Sequence, residues 1–341
     1  MNRPIYILAG VMIVGIAAWL LLSHDPHRVT EKQSFLTIDT STVDYIRIQN
    51  KDGDLTMKKV GSNWKMTKPR DFPANAGYVK TLIEKVGGLE MESLITTNKD
   101  KLSTYELGDS ATYIEIGKDG GKIDKFYCGK PSETYTHTYV RRDGSDEVWM
   151  VSGSPKSSFS RTPDDWRDKR VLELDRTMIQ RILLEFPDET VELVRNISTP
   201  NADTTLAKSD TTWMVHPAKG DPFEPMDKEF NRIMNTCARL SSIGFVDADD
   251  DTMPDMSKPE FTVEIFSEGN QHEKIEFMPR TTGDTSRWYA MKNGSASTLY
   301  LIYQSSVKNL MKRPDILKNG EPDVNPRDPA VKAKAAKKKG A

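Results

Sequence analysis

The feature that most limits what this chain can fold into is an internal repeat. Residues 43–69 (VDYIRIQNKDGDLTMKKVGSNWKMTKP) match residues 191–217 (VELVRNISTPNADTTLAKSDTTWMVHP), with Val43 on Val191, Trp64 on Trp213 and Pro69 on Pro217, an offset of 148 or 149. Each segment alternates apolar and polar residues about a polar turn, Lys51-Asp52-Gly53-Asp54 in the first, which is the pattern of paired strands. A helix follows in each copy. Val79, Leu82, Ile83, Val86 and Leu89 form one apolar stripe, and Phe230, Ile233, Met234, Cys237 and Leu240 repeat it at an offset of 151. Strands resume: Tyr113–Ile116 answers to Thr262–Ile265, Phe126–Cys128 to Ile275–Phe277, Tyr139–Arg142 to Tyr289–Lys292, and Val148–Met150 to Leu299–Leu301. A short closing helix is expected near 157–159 and again near 305–311.

Two copies of such a unit fit the 341 residues, at roughly 100–200 residues per domain. The predicted fold class is α+β, each repeat a mostly antiparallel sheet with a helix. The first repeat is expected over 34–175 and the second over 186–319. The join between them should carry a helix over 176–184, before Pro187. A lysine-rich tail, 320–341, lacks apolar periodicity and reads as disordered.

The amino-terminal end adds one more element. Residues 5–22, IYILAGVMIVGIAAWLLL, hold no charge, and as a helix they would span roughly 27 Å, close to the hydrocarbon thickness of a bilayer. Arg3 in the short end 1–4 predicts that this end stays in the cytoplasm. The reading is therefore a transmembrane helix over 5–22, a stalk over 23–33, and a main body outside the cytoplasm at the inner (plasma) membrane. A cleaved signal is the rival, but Trp19-Leu20-Leu21-Leu22 offers bulky groups where cleavage needs small ones.

Charge and cysteines narrow the function. The net charge is −2 although the last eleven residues carry five lysines. The body is thus acidic, which argues against nucleic acid as a partner. Two cysteines, Cys128 and Cys237, cannot make a disulfide scaffold or a multi-thiolate zinc site. Cys237 takes the place of Val86 in an apolar stripe and Cys128 that of Phe277, so both read as small core residues.

No catalytic motif stands out. The histidines, His24, His27, His137, His216 and His272, have no ligand spacing, and no phosphate loop or nucleophile elbow is present. No catalytic, cofactor or metal residue is therefore assigned, and no cofactor is expected. Asp247, Asp249 and Asp251 hold alternate places of a calcium loop, but Thr252 stands where such a loop needs glycine and Lys258 where it needs glutamate. Trp166, Arg167, Lys169 and Arg170 form the densest mixture of aromatic and basic residues, a candidate partner-binding surface. Its bland counterpart is a salt-bridged helix start with Trp166 packed on the sheet.

The Phe35–Asp39 element, the hairpin ending at Trp64-Lys65-Met66 and Pro69, the helix opening after Pro73-Ala74-Asn75, Tyr105-Glu106-Leu107-Gly108 and Tyr139-Val140-Arg141 together resemble a bacterial family, domain of unknown function 4340. The resemblance covers most of 35–173 and, more weakly, 189–317. It implies a membrane-anchored envelope subunit associated with ABC-type transport systems, and it brings no catalytic residues. The expectation is a non-enzymatic protein that binds membrane-embedded subunits and meets the bilayer through its amino-terminal helix. A binding module for a cell-wall polymer or another extracytoplasmic ligand is the alternative.

Overall fold

The computed structural model describes Met12, residues 28–197 and residues 211–321. The chain forms two compact units that part between Asp168 and Lys169.

In the first unit the strands are β1 (Arg28–Ser34), β2 (Tyr45–Asn50), β3 (Gly53–Val60), β4 (Asn63–Lys68), β5 (Phe72–Pro73), β6 (Glu90–Thr96), β7 (Thr112–Gly117), β8 (Ile123–Pro131), β9 (His137–Arg142) and β10 (Val148–Ser152). They make one sheet in the order β1-β6-β10-β9-β8-β7-β2-β3-β4-β5. Alternation gives the sheet a dry face. Ile46 and Ile48 on β2 lie opposite Ile116 and Ile114 on β7, and all four are buried. Helix α1 (Ala76–Gly87) covers that face with Val79, Leu82 and Val86. Burying one such side chain fully contributes about 1.5–3 kcal/mol. The helix starts where the Asn75 side chain accepts a hydrogen bond from the Tyr78 amide at 3.1 Å. Two short helices, α2 (Lys156–Phe159) and α3 (Pro163–Trp166), close the unit.

The second unit holds β11 (Arg170–Glu173), β12 (Ile179–Glu185), β13 (Thr190–Ile197), β14 (Thr211–Pro217), α4 (Asp227–Ala238), β15 (Arg239–Ser241), β16 (Gly244–Asp247), β17 (Phe261–Ser267), β18 (Gln271–Pro279), β19 (Arg287–Lys292), β20 (Thr298–Tyr303), α5 (Gln304–Leu310) and α6 (Pro314–Asn319). Its main sheet runs β16-β20-β19-β18-β17-β12-β13-β14. This is the order β6-β10-β9-β8-β7-β2-β3-β4 over again. The ribbon β11–β15 stands where β1 meets the start of β6, and the Met66–Phe72 pairing returns as a bridge between Val215 and Phe223. Even the closing contact repeats: the Asn75 amide donates to Trp166 O at 2.8 Å and the Met226 amide to Leu317 O at 2.7 Å.

Four expectations need correction. Among the described residues no helix is long and apolar enough to cross a membrane; the longest, α1 and α4, have 12 residues. The fold class of the described residues is accordingly α+β, the expected transmembrane helix is not supported, and the apolar run 5–22 lies, Met12 aside, outside the described residues. The stalk expected over 23–33 gives way to β1, paired with β6 from Arg28 onward. The helix expected over 176–184 is strand β12. Ile179, Ile182 and Leu183 imitate helical spacing because the pairing with β17 slips between Ile179 and Arg181, which shifts the phase of the alternation. Finally, strand pairing matches Ile46 to Ile182 and Leu55 to Val191, so the partner of β2 is β12 and not the strand beginning near Val191. The tail 322–341 lies outside the described residues.

Candidate functional site

Trp166 and Arg167 are interior residues of the first unit, each 0% exposed. The Trp166 ring meets Tyr78 edge-on at 6.5 Å between centroids. The Arg167 guanidinium lies 4.2 Å from the Phe72 ring centre and bonds Asp164 at 3.1 Å. Trp166 has a counterpart in the second unit, Leu317, which is also fully buried and makes the same closing contact. A place filled by tryptophan in one copy and leucine in the other is a packing place. Lys169 and Arg170 open the second unit: Lys169 is half-buried, and Arg170 is exposed and paired with Glu173 at 2.5 Å. Trp166 and Arg167, as folded, offer a partner no surface.

A different place in the first unit is shaped to receive something. A 3₁₀ turn, Lys99–Tyr105, opens with the Asn98 side chain accepting from the Asp100 amide and ends at Glu106 in the left-handed region (φ 57°, ψ 37°). Leu107 then drops into a small apolar cluster with Leu102 and Val148. This segment crosses β8 at Gly129, where a Cβ would fall 2.1 Å from Tyr105 O. Only glycine allows that approach.

Beside the crossing lies a cavity of about 540 Å³, with Cys128 at its floor and Asn50, Glu106, Ser110 and Lys156 on its walls. A second cavity of about 450 Å³ adjoins it through shared walls at Lys51, Asp109 and Ala111, and reaches Tyr113, Tyr127 and Asp143 on the outer sheet face. The two make one bent groove.

The groove's side chains are braced. Asn50 donates to Phe159 O at 2.7 Å and accepts from the Asp52 amide at 2.8 Å. Lys156 is ion-paired with Glu106. The Tyr113 and Tyr127 rings lie 5.1 Å apart, the Arg141 guanidinium sits 4.1 Å over Tyr127, and the Tyr127 hydroxyl donates to Asp143 at 3.4 Å. Tyr113 and Tyr45 both donate to Glu115 at 3.0 Å, and burial first, then that carboxylate, raises both phenols, Tyr45 to about 12. Burial also pushes the Cys128 thiol up to about 12, so it is neutral and a poor nucleophile at ordinary pH.

The remaining candidates are local. Cys237 is buried in α4 with its thiol likewise raised to about 12, and both cysteines are free thiols. His137 pairs with Glu92 at 2.9 Å and His272 with Glu264 at 3.0 Å, in different units. His24 and His27 lie outside the described residues. In the acidic loop, Asp250 accepts from the Thr252 amide and hydroxyl, and Asp247 accepts from the Thr298 hydroxyl at 2.6 Å. Among the described residues no group of three or more histidine, cysteine or carboxylate side chains is placed to hold a metal ion.

The second unit modifies the same place. Met256 stands where Leu107 does and Met278 where Gly129 does, and both join an apolar cluster with Leu299. The Tyr105–Gly108 element was legible as a family motif, but its role as a groove wall was not. A glycine inside the β8 pattern was the one available signal of a close backbone crossing.

These features define a class: a strand-dominated α+β protein built from a duplicated antiparallel unit, with a polar groove on the first copy. The family model described as domain of unknown function (DUF4340) matches residues 64–259, more than half of the chain, and the chain belongs to that family. No curated protein and no solved structure matches the chain.

Proposed function

We propose that the chain is a non-enzymatic binding protein whose first unit receives its ligand in the groove beside residues 99–108. The observation that supports this reading is the close crossing at Gly129, which lays the 3₁₀ segment against strand β8 beside a cleft lined by braced polar side chains. A cleft of a few hundred cubic ångströms with converging polar groups is the usual form of a ligand site. The only thiol in it is kept neutral by burial, which favours holding over reacting. The uncharged run 5–22 motivates the second part of the proposal, that the protein is associated with the cell's inner membrane and works outside the cytoplasm. A segment of a membrane-embedded transport subunit, and a cell-wall polymer or other extracytoplasmic ligand, are the occupants that the sequence expectations allow.

The test is site-directed photo-crosslinking in cells producing the full chain. A photoreactive residue at Ser110, inside the groove, should give a discrete adduct that Ala111→Trp abolishes. The same residue at Lys80, on the outer side of α1, should give none. Absence of any Ser110 adduct, or one indifferent to Ala111→Trp, removes the groove from the proposal. Membrane fractionation in the same cells tests location, and recovery of the intact chain in the soluble fraction would overturn that part.

A further inference from the structure

We infer that the groove is built for a neutral or amino-bearing polyhydroxylated chain, an oligosaccharide longer than one ring. The inference rests on the groove being the binding site and identifies the chemistry it selects. Apart from Ala111, Cys128 and the two tyrosine rings, every side chain lining the two cavities is polar or charged. A protein segment docks by sinking apolar or aromatic anchors into desolvated pockets. At its Tyr127 end, where polar surface outweighs apolar, this groove offers no such pocket. It has instead acceptors at Asp109 and Asp143, amides at Gln49 and Asn50 that both donate and accept, and hydroxyls at Ser110 and Thr112. That mixture matches vicinal hydroxyl groups, each both donor and acceptor.

Tyr113 and Tyr127 complete the match. They sit side by side at 5.1 Å, half-buried, and Arg141 holds Tyr127 in place from 4.1 Å. A sugar ring carries an apolar C–H face that packs on such a ring, while its rim hydroxyls reach the flanking carboxylates. Bases also stack on aromatic rings, but they come with phosphates. The Lys156–Glu106 pair is internally compensated, which leaves Asp52, Asp109 and Asp143 against Lys51 and the neighbouring Arg141, an excess of acid. That balance repels a polyanion. The bend from the floor at Cys128 to the face at Tyr127 divides the groove into two adjoining cavities, so its occupant must extend past one ring.

Isothermal titration of the full chain with cello-, malto- and chito-oligosaccharides of graded length, and with polygalacturonate oligomers, tests this. At least one neutral or amino-bearing series should bind, its affinity rising with length until the groove is filled, and the polygalacturonate series should bind at least about tenfold more weakly. Tyr127→Ala and Ala111→Trp should each weaken binding by about tenfold or more, whereas Tyr135→Ala, at an exposed turn residue, should not. Circular dichroism melts show whether Ala111→Trp keeps the fold; if it does not, Ser110→Tyr at the adjoining wall serves instead. Preference for the polyanion, or no saccharide binding at all, overturns the inference. If saccharides fail while the Ser110 adduct forms and proves to be protein, the groove stands and its occupant is a protein segment. Saccharide binding indifferent to every groove variant overturns both readings.

Discussion

Trp64 and Trp213 occupy matching places, each on the strand leading to the unit's main helix, yet their surroundings differ. Trp64 is 8% exposed within the first core, whereas Trp213 is half-buried and leans on Phe230 at 5.2 Å. Trp64→Ala should therefore cost about 3–5 kcal/mol, the range for a buried large aromatic. Trp213→Ala should cost nearer 1–2 kcal/mol, because only part of its ring leaves a packed environment. Chemical unfolding followed by circular dichroism measures both, and equal losses would show that half-burial was the wrong guide. The Trp166–Arg170 cluster teaches the same lesson about reading residues singly. Its aromatic and basic character was visible in the sequence, but exposure is a tertiary property. Arg167, stacked on Phe72 and fully buried, should not tolerate Arg167→Glu, which places a carboxylate in that interior and should cost several kcal/mol, as unpaired buried charges do. Arg170→Glu removes an exposed pair with Glu173 and should shift stability by no more than about 1 kcal/mol. Comparing the two melts decides it, and an unfolded Arg170→Glu variant would contradict this assignment.

At the scale of elements, the closing segments show how one topology is fastened by different chemistry. In the first unit the Arg161 guanidinium lies 4.0 Å over the Tyr78 ring. In the second, Lys312 and Glu229 hold the corresponding places and form an ion pair at 3.1 Å with almost no exposure. Arg232 bonds Glu229 at 3.1 Å and Glu321 at 2.8 Å, and Lys312 also pairs with Glu321. Hydrogen bonds from Lys312 and then Arg232 pull the Glu321 carboxyl from an ordinary 4.5 to about 2. A carboxyl depressed on folding stabilises above its unfolded value and loses that contribution as pH falls through its folded one. Stability of the second unit should therefore decline between about pH 4.5 and about pH 2, and Glu321→Gln should flatten that part of the profile. Melts of both proteins across the window check it, and parallel profiles would sink the idea. Elements were legible where alternation or the helical stripe ran unbroken, as in α1, α4 and β17. Strand β12 was not, because a bulge made its apolar residues imitate a helix. Nor was β1, whose sequence RVTEKQS carries little apolar patterning and is held by pairing with β6.

For the whole molecule, the repeat was the most legible feature, and its misalignment is instructive. From Trp64 and Trp213 onward the sequence match and the strand register agree. Before that point the true partners, Ile46 with Ile182 and Leu55 with Val191, lie at a shorter spacing, and the difference accrues between β13 and β14, across residues 198–210. A match that began at Val43 and Val191 could not show this, so strand β12, the partner of β2, was read as a helix instead. The groove was illegible for a related reason, since it arises where a loop crosses a strand far from it in sequence. Each unit nonetheless has its own core, one around Ile46, Leu82 and Phe126 and the other around Ile182, Ile233 and Phe277. Neither core borrows a residue from the other, so the units should unfold as separate cooperative transitions. Phe126→Ala, at a large side chain 1% exposed, should lower one transition of the full chain, and Phe277→Ala, at a side chain fully buried, should lower the other. Each should cost about 3–5 kcal/mol in its own unit, and the double variant should show the sum, because distant sites without shared partners add. Differential scanning calorimetry of the four proteins reads this directly. If both substitutions move a single shared transition, or the double variant departs from additivity, the two cores are energetically coupled and the picture of a tandem pair of independent units fails.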